Sequence, residues 1–330
     1  MSNSRKFIVI TSIFEATQAV KKFSDIPGWQ LIVVGDKKTP PNWEYKDVIY
    51  LGPDDQEKLN FQITKHLPWD HYCRKMVGYL YAMRSGADII FDTDDDNEPK
   101  ESWPSLPEPG EPIKVLSGQK FINVYKYFTN EFVWPRGYPL SLVLSDQEIN
   151  SSKTSSSVGV WQFLADEDPD VDAIYRLTND KPIYFDENEP IILANGTACP
   201  FNSQNTAFIK EVFPLLYLPA FVTFRFTDIL RGLVAQPILW ENGYQLGFGP
   251  ATVIQKRNPH DYMRDFESEI PVYLHSEEVI DLVRATLSAG PNDLLEQLRL
   301  SYKRLGEKSI VTDKENVLLD AWIQDIKSLT

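Results

Sequence analysis

Ile89-Ile-Phe-Asp92-Thr-Asp94-Asp95-Asp96-Asn97 decides how this chain is read: an apolar run ends in four aspartates packed into five positions. Upstream, Cys73, Met76, Val77, Leu80, Met83 and Ala87 recur at i, i+3, i+4 and i+7, the stripe of an amphipathic helix, and Gly86 is placed to stop it. Helix, buried strand and then acids is the layout of an α/β unit that presents charge at the carboxyl end of a strand, where such sheets bind ligands. Carboxylates this crowded repel one another. They are tolerated where water solvates them, as an acidic turn, or where a hard divalent cation such as Mg²⁺ or Mn²⁺ neutralises them.

Outward from that stretch, three short β-branched runs come first in the chain. They are Phe7-Ile-Val-Ile-Thr11, then Gln30-Leu-Ile-Val-Val-Gly35 with Asp36 and the breakers Thr39-Pro-Pro41, then Val48-Ile-Tyr-Leu51 ended by Gly52-Pro53. Strand, crossover and strand repeated this way predict a mainly parallel sheet flanked by helices, with Ser12, Asp36 and the acidic run gathered at one end. From Glu98 to Pro112 the Pro and Glu content predicts a surface excursion. Val115 to Phe128, Pro182 to Leu193 and Pro250 to Gln255 read as strands, and Ser151 to Ser157 as a polar loop. Helical spacing returns at Ile229 to Trp240 and from Glu277 to the C-terminus, where Leu294, Leu298, Tyr302 and Leu305 form one stripe.

The 330 residues are 42% hydrophobic and 24% charged, enough for a large core in two domains or in one α/β domain with an elaborated second half. A net charge of −14 with no basic patch argues against a nucleic-acid partner. No apolar stretch approaches the roughly 20 residues that cross a bilayer. The N-terminus does not lead into a secretory h-region, so the expected location is cytoplasmic. Cys73 and Cys199 read as reduced packing residues. The Rossmann glycine fingerprint and the Walker loop are both absent.

Gly86-Ala-Asp-Ile-Ile-Phe-Asp-Thr-Asp94-Asp-Asp96 resembles the helix stop, apolar strand and D-x-D signature of GT-A glycosyltransferases. Further stretches resemble the catalytic domain of the STELLO-type glycosyltransferases: Arg74-Lys75-Met-Val-Gly78-Tyr-Leu-Tyr81, Trp161 to Arg176, Pro200-Phe-Asn202-Ser-Gln204-Asn205-Thr206, Arg225-Phe-Thr-Asp228-Ile-Leu-Arg231-Gly and Arg257-Asn-Pro-His260-Asp. They run in one order from about residue 7 to about residue 270, and together they are far more specific than D-x-D alone. The plant members of that family also carry a membrane anchor, and none is expected among these 330 residues.

The resemblance implies a GT-A-like fold with Mn²⁺ or Mg²⁺ on the diphosphate of a nucleotide-sugar, held by Asp94 and Asp96 and, from the C-terminal side, by His260. Asp92 would contact the ribose or open a shifted D-x-D, so the register stays open. Ser12 and Asp36 fall where the nucleobase and ribose are received. Arg74 and Lys75 would meet the diphosphate or donor sugar, or else form a solvent-facing or salt-bridged pair opposite the apolar stripe. The acids at 166, 168, 170 and 172 would line one face of an extended segment. On the acceptor side, Asp168 and Asp170 would act with Arg176 pairing to one of the acids, and Asn202, Gln204, Asn205 and Arg231 would meet sugar hydroxyls. Asp228, at a predicted helix start, is the candidate base. His66 and His71 read as surface residues.

These readings assemble into a metal-dependent glycosyltransferase that moves a sugar, expected from UDP by family frequency, to a hydroxyl acceptor such as a glycan. Residues 1–110 would bind nucleotide-sugar and metal, 111–275 would build the acceptor half of the same domain, and 276–330 would add helices. The rivals are a nucleotidyltransferase or pyrophosphatase, a nucleotide-sugar mutase, and a catalytically silent assembly module.

Overall fold

The computed structural model describes residues 4–103, 106–108, 110–179, 181–256, 261–288 and 290–329. Its first half alternates as the β-branched runs dictate: β1 (Lys6–Thr11), α1 (Gln18–Ser24), β2 (Trp29–Val34), β3 (Val48–Leu51), α2 (Pro53–Lys58), α3 (Lys75–Arg84), β4 (Ile89–Thr93) and β5 (Asn97–Pro99). The second half comprises β6 (Ile113–Ser117), α4 (Tyr125–Phe128), β7 (Asn150–Thr154), β8 (Val158–Asp166), α5 (Ala173–Thr178), β9 (Ile191–Leu193), β10 (Asn205–Ile209), α6 (Thr227–Glu241) and β11 (Gln245–Gln255). Three helices close the chain: α7 (Tyr262–Leu287), α8 (Leu294–Glu307) and α9 (Asp313–Leu329).

Among the described residues the strands form one eleven-stranded sheet in the order β3-β2-β1-β4-β10-β8-β11-β9-β6-β7, with β5 on β11. The first four run parallel, as expected of strands joined by crossovers. β10 enters antiparallel between β4 and β8, β8 and β11 run parallel, and the far edge mixes directions. The architecture is the expected α/β one, a large central sheet flanked by helices.

Period-2 alternation divides the side chains between two cores. Val9, Ile32, Val34 and Ile90 pack with Val77 and Leu80 of α3 and with Leu230 and Leu233 of α6. On the other face, Ile8, Ile10, Val33 and Phe91 pack with Val20 and Phe23 of α1 and with Trp103 and Phe163. Asp92, two residues past Ile90, therefore points to the α3 and α6 side. The stripe read in α8 is buried at Leu298, Tyr302 and Leu305. α9 is latched by Asp325, which accepts from Gln62 N at 2.7 Å and Ile63 N at 2.8 Å.

Three expectations fail locally. Val115 to Phe128 is a strand only to Ser117, because Gly118 turns the chain at φ +124°, and the segment ends in α4. Pro182 to Leu193 pairs only at Ile191–Leu193 and in an isolated bridge from Ile183 to Glu167; between them Phe185 is buried against Tyr125, and the residues from Asp186 to Glu189 are exposed. The expected polar loop at 151–157 is largely β7, fully exposed and antiparallel to β6. An edge strand needs only backbone partners, which hydropathy does not report. The boundary read at 275/276 falls inside α7.

Gly78 seats α3 on the sheet: a Cβ there would lie 2.6 Å from Val9 Cγ1 and 2.7 Å from Val34 Cγ2. Gly78→Ala is expected to cost about 1–3 kcal/mol by overpacking, read as a lower urea midpoint at unchanged slope. An unchanged midpoint would contradict this close approach.

Candidate active site

A cavity of about 360 Å³ opens at the carboxyl ends of β1, β2 and β4. Ser12 and Phe14 follow β1 into it, Asp36 follows β2, and Asp94, Asp95 and Asp96 follow β4. The opposing wall is made by Arg136, Ser203 and Gln204, with Arg225 and Asp228 from the start of α6. The cavity thus sits where a parallel sheet leaves strand-end backbone and side chains uncovered.

Beneath the acidic run, Lys75 is fully buried. Its ammonium donates at 2.8 Å to Asp92 Oδ1, to Thr93 O and to Asp94 Oδ1. Burial alone would lower its pKa, but Asp92 and Asp94 more than reverse that, and the group is held charged. Asp92 is also wholly buried, and its second oxygen accepts from Arg231 Nη1 at 2.7 Å. Asp94 is raised to about 7, first by burial, against the pull of Lys75, with Asp96 adding repulsion. Burial likewise raises Asp95 to about 6, although Ser12 Oγ donates to its Oδ2 at 2.5 Å.

Across the cavity, Arg136 is clamped between two carboxylates. Its Nε and Nη2 donate to Asp170 at 2.7 and 2.8 Å, and its Nη1 and Nη2 donate to Asp228 at 3.0 and 2.9 Å. Burial would raise the Asp228 pKa, but Arg136 outweighs it and holds the carboxyl at about 2. Asn202 Nδ2 donates to Asp170 at 2.8 Å, while its backbone carbonyl accepts from Arg231 Nη2 at 2.7 Å. The two clusters are therefore parts of one buried network.

Of the residues singled out from sequence, Ser12, Asp36, Arg74, Asp94, Asp96, Asp170, Gln204 and Asp228 meet at this cavity. Asp36 accepts from the Asp70 and His71 backbone N–H at 3.0 and 3.3 Å, holding that loop against β2. Lys75, Asp92, Asn202, Asn205 and Arg231 lie outside its lining, buried in the surrounding network. Asn205 is wholly buried, and its Nδ2 donates to Thr252 Oγ1 at 2.9 Å. Of the alternative readings of Arg74 and Lys75, the solvent-facing one is corrected, since both are buried, while Lys75 is salt-bridged to Asp92 and Asp94; Arg74 Nε donates to Gln56 Oε1 at 2.7 Å with its guanidinium 3.5 Å from the Trp69 ring centre.

The acids of 166–172 do not share a face, because Glu167 takes φ +69° and Asp172 turns inward to cap α5. Asp168 pairs with Arg176, the internal pairing expected of that arginine. His71, read as a surface residue, lines the cavity. His260, read as a metal ligand, lies outside the described residues. Sequence reasoning missed Arg136, a single arginine in an irregular stretch whose partners come 34 and 92 positions later. Its flanking sequence carries no surplus of acids, so no local signal marked it.

The comparisons with known proteins agree on one family. Residues 225–330 match the family model described as STELLO glycosyltransferases. The chain is 31% identical over 344 residues to "Probable glycosyltransferase STELLO2" of Arabidopsis thaliana, covering 98% of this chain and 45% of that protein. It is 30% identical to "Probable glycosyltransferase STELLO1" of the same plant, covering 98% and 44%. The chain thus spans less than half the length of these curated relatives. A solved structure, "Crystal Structure of a Mycobacterial Protein", aligns with 83% of this chain and 74% of its own at 11% identity and a TM-score of 0.40, too low to bear on the fold.

Arg136→Met leaves Asp170 and Asp228 buried without their guanidinium, an expected loss of about 3–5 kcal/mol at pH 7. Asp228 titrates near 2 when folded against the ordinary 3.8. Between those values the unfolded chain binds the extra proton, so the wild-type advantage is complete above about pH 4 and fades as pH falls toward 2. Urea midpoints at pH 7 and pH 3 check this, and a gap of equal size at both would contradict it.

Proposed function

We propose that this STELLO-type chain is a glycosyltransferase that takes its donor sugar from a nucleoside diphosphate, with uridine as the nucleoside, and passes it to a hydroxyl acceptor with help from Mn²⁺ or Mg²⁺. The observation that carries the reading is the placement of Asp94 and Asp96 together on the wall of a strand-end cavity, opposite Asp170 and Asp228, the second at the start of α6, both clamped on Arg136. Residues 1–110 would serve the donor and residues 111–275 the acceptor, with 276–330 as a helical support.

The cavity chemistry suits a divalent cation. Among its described lining residues, seven carboxylates (Asp36, Asp70, Asp94, Asp95, Asp96, Asp170 and Asp228) face four cationic side chains (Lys38, Arg74, Arg136 and Arg225). An anionic diphosphate entering that field is repelled unless positive charge comes with it. Among the described residues no three His, Cys, Asp or Glu side chains are grouped to hold a metal. Mg²⁺ commonly uses one or two carboxylates and completes its shell with substrate phosphate oxygens and water, and Asp94 and Asp96 supply that number. When bound, the cation would neutralise charge on the departing diphosphate.

In transfer, the bond from the anomeric carbon to the β-phosphate oxygen would break with its electron pair going to that oxygen, the acceptor oxygen would bond to the carbon, and the acceptor proton would pass to the departing diphosphate. Asp228 remains ionised throughout the working range and accepts hydrogen bonds at the cavity wall. Arg136 draws its proton affinity far below the near-neutral value that best suits a general base. Its proposed role is to orient the acceptor hydroxyl. Ser12, Asp36 and Gln204 all line the cavity; Ser12 and Asp36 would meet the nucleoside and Gln204 the acceptor.

Incubation with a panel of UDP-sugars and Mn²⁺ is expected to release intact UDP, whereas UMP would mean attack at phosphorus and would contradict a glycosyltransferase. Asp228→Asn is expected to lower kcat about 10–100-fold with little change in donor affinity. An unchanged kcat would remove Asp228 from the reaction.

A further inference from the structure

The acidic run carries its own cation. Lys75 is wholly buried, and its three ammonium protons have three acceptors at 2.8 Å: Asp92 Oδ1, Thr93 O and Asp94 Oδ1. The two carboxylates it touches have different surroundings. Asp92 is wholly buried with its second oxygen on Arg231, so both of its oxygens are taken by the fold. The Asp94 side chain is 36% exposed on the cavity wall. A compact ammonium, placed by the first turn of α3, thus fixes one edge of a carboxylate whose other side meets the cavity.

We propose that Lys75 is a positioning residue for donor binding: it holds Asp94 by one oxygen, so that the carboxylate is presented in one orientation to the cation and diphosphate that enter the cavity. It follows that Asp92 is structural and that the D-x-D register is Asp94 with Asp96. This inference rests on the glycosyltransferase reading given above. Outer partners that orient a metal-binding carboxylate typically contribute 10–100-fold to affinity, and Lys75 stands in that relation to Asp94.

The test is calorimetric titration of UDP in the presence of Mn²⁺ into the wild type, Lys75→Gln, Asp94→Asn and the double variant, with urea midpoints for each. Lys75→Gln is expected to weaken binding about 10-fold or more. In the Asp94→Asn background the same substitution should change affinity by less than about twofold, the non-additivity of two residues acting as one unit. A loss of stability alone would lower the midpoints without producing this coupling. If Lys75→Gln does not fold, Lys75→Arg retains the buried charge with a longer, forked head that displaces Asp94. It should bind more weakly at a midpoint near that of the wild type. Equal affinity in wild type and Lys75 variants, or independent losses in the cycle, would overturn the positioning role alone. No binding of UDP with Mn²⁺ by the wild type would overturn the glycosyltransferase reading and this inference with it.

Discussion

Asp92 is the point on which the rest of the site depends. A carboxylate with no exposed surface is tolerated only when its charge is met, and here it is met twice, by Lys75 at the start of α3 and by Arg231 in α6. A slide of either helix along the sheet would disturb its apolar packing, for α3 including the close approach at Gly78. Two charge-assisted contacts of 2.8 and 2.7 Å to one side chain cannot follow such a slide. The contacts continue from Arg231 to the Asn202 carbonyl, from the Asn202 amide to Asp170, and through Arg136 to Asp228. Both walls of the cavity are therefore fixed by one hydrogen-bonded network before any substrate arrives, the preorganisation that electrostatic catalysis requires.

Much of this was legible in the sequence because it is local. The β-branched runs at 7–11, 30–35 and 48–51 became the parallel strands β1, β2 and β3, and the stripe from Cys73 to Ala87 became a short turn and α3. The acidic run and the Thr227-Asp228 helix start reached one cavity because strand-end placement and helix entry can both be read from short windows. Tertiary pairing cannot. Nothing near Lys75 reveals that its ammonium turns inward to Asp92 and Asp94, and Arg136 has no partner within 30 positions. β7 escaped notice for a related reason: a fully exposed edge strand such as Asn150–Thr154 is defined by its backbone neighbours, and its side chains carry no pattern.

The chemistry follows from an imbalance of charge. Where Arg136 and Arg231 meet acids, and where Lys75 meets Asp92, burial is compensated and the carboxylates serve the fold. Burial holds Asp94 and Asp95 above the ordinary carboxylate range, at about 7 and about 6, even with Lys75 on Asp94 and Ser12 on Asp95. A cationic or cation-bearing ligand at this strand-end cavity would favour their ionised forms. The chain's likeness over 98% of its length is to proteins named probable glycosyltransferases, and the proposed nucleotide-sugar is a ligand that would bring such a cation with its diphosphate.

The central claim is that this cavity binds a nucleoside diphosphate only together with a divalent cation. Calorimetric titration of UDP into the wild-type protein, once with Mn²⁺ and once with the metal chelated by EDTA, tests it most directly. The account predicts saturable binding with Mn²⁺ and its loss in EDTA. Equal binding in both conditions, or none in either, would contradict it.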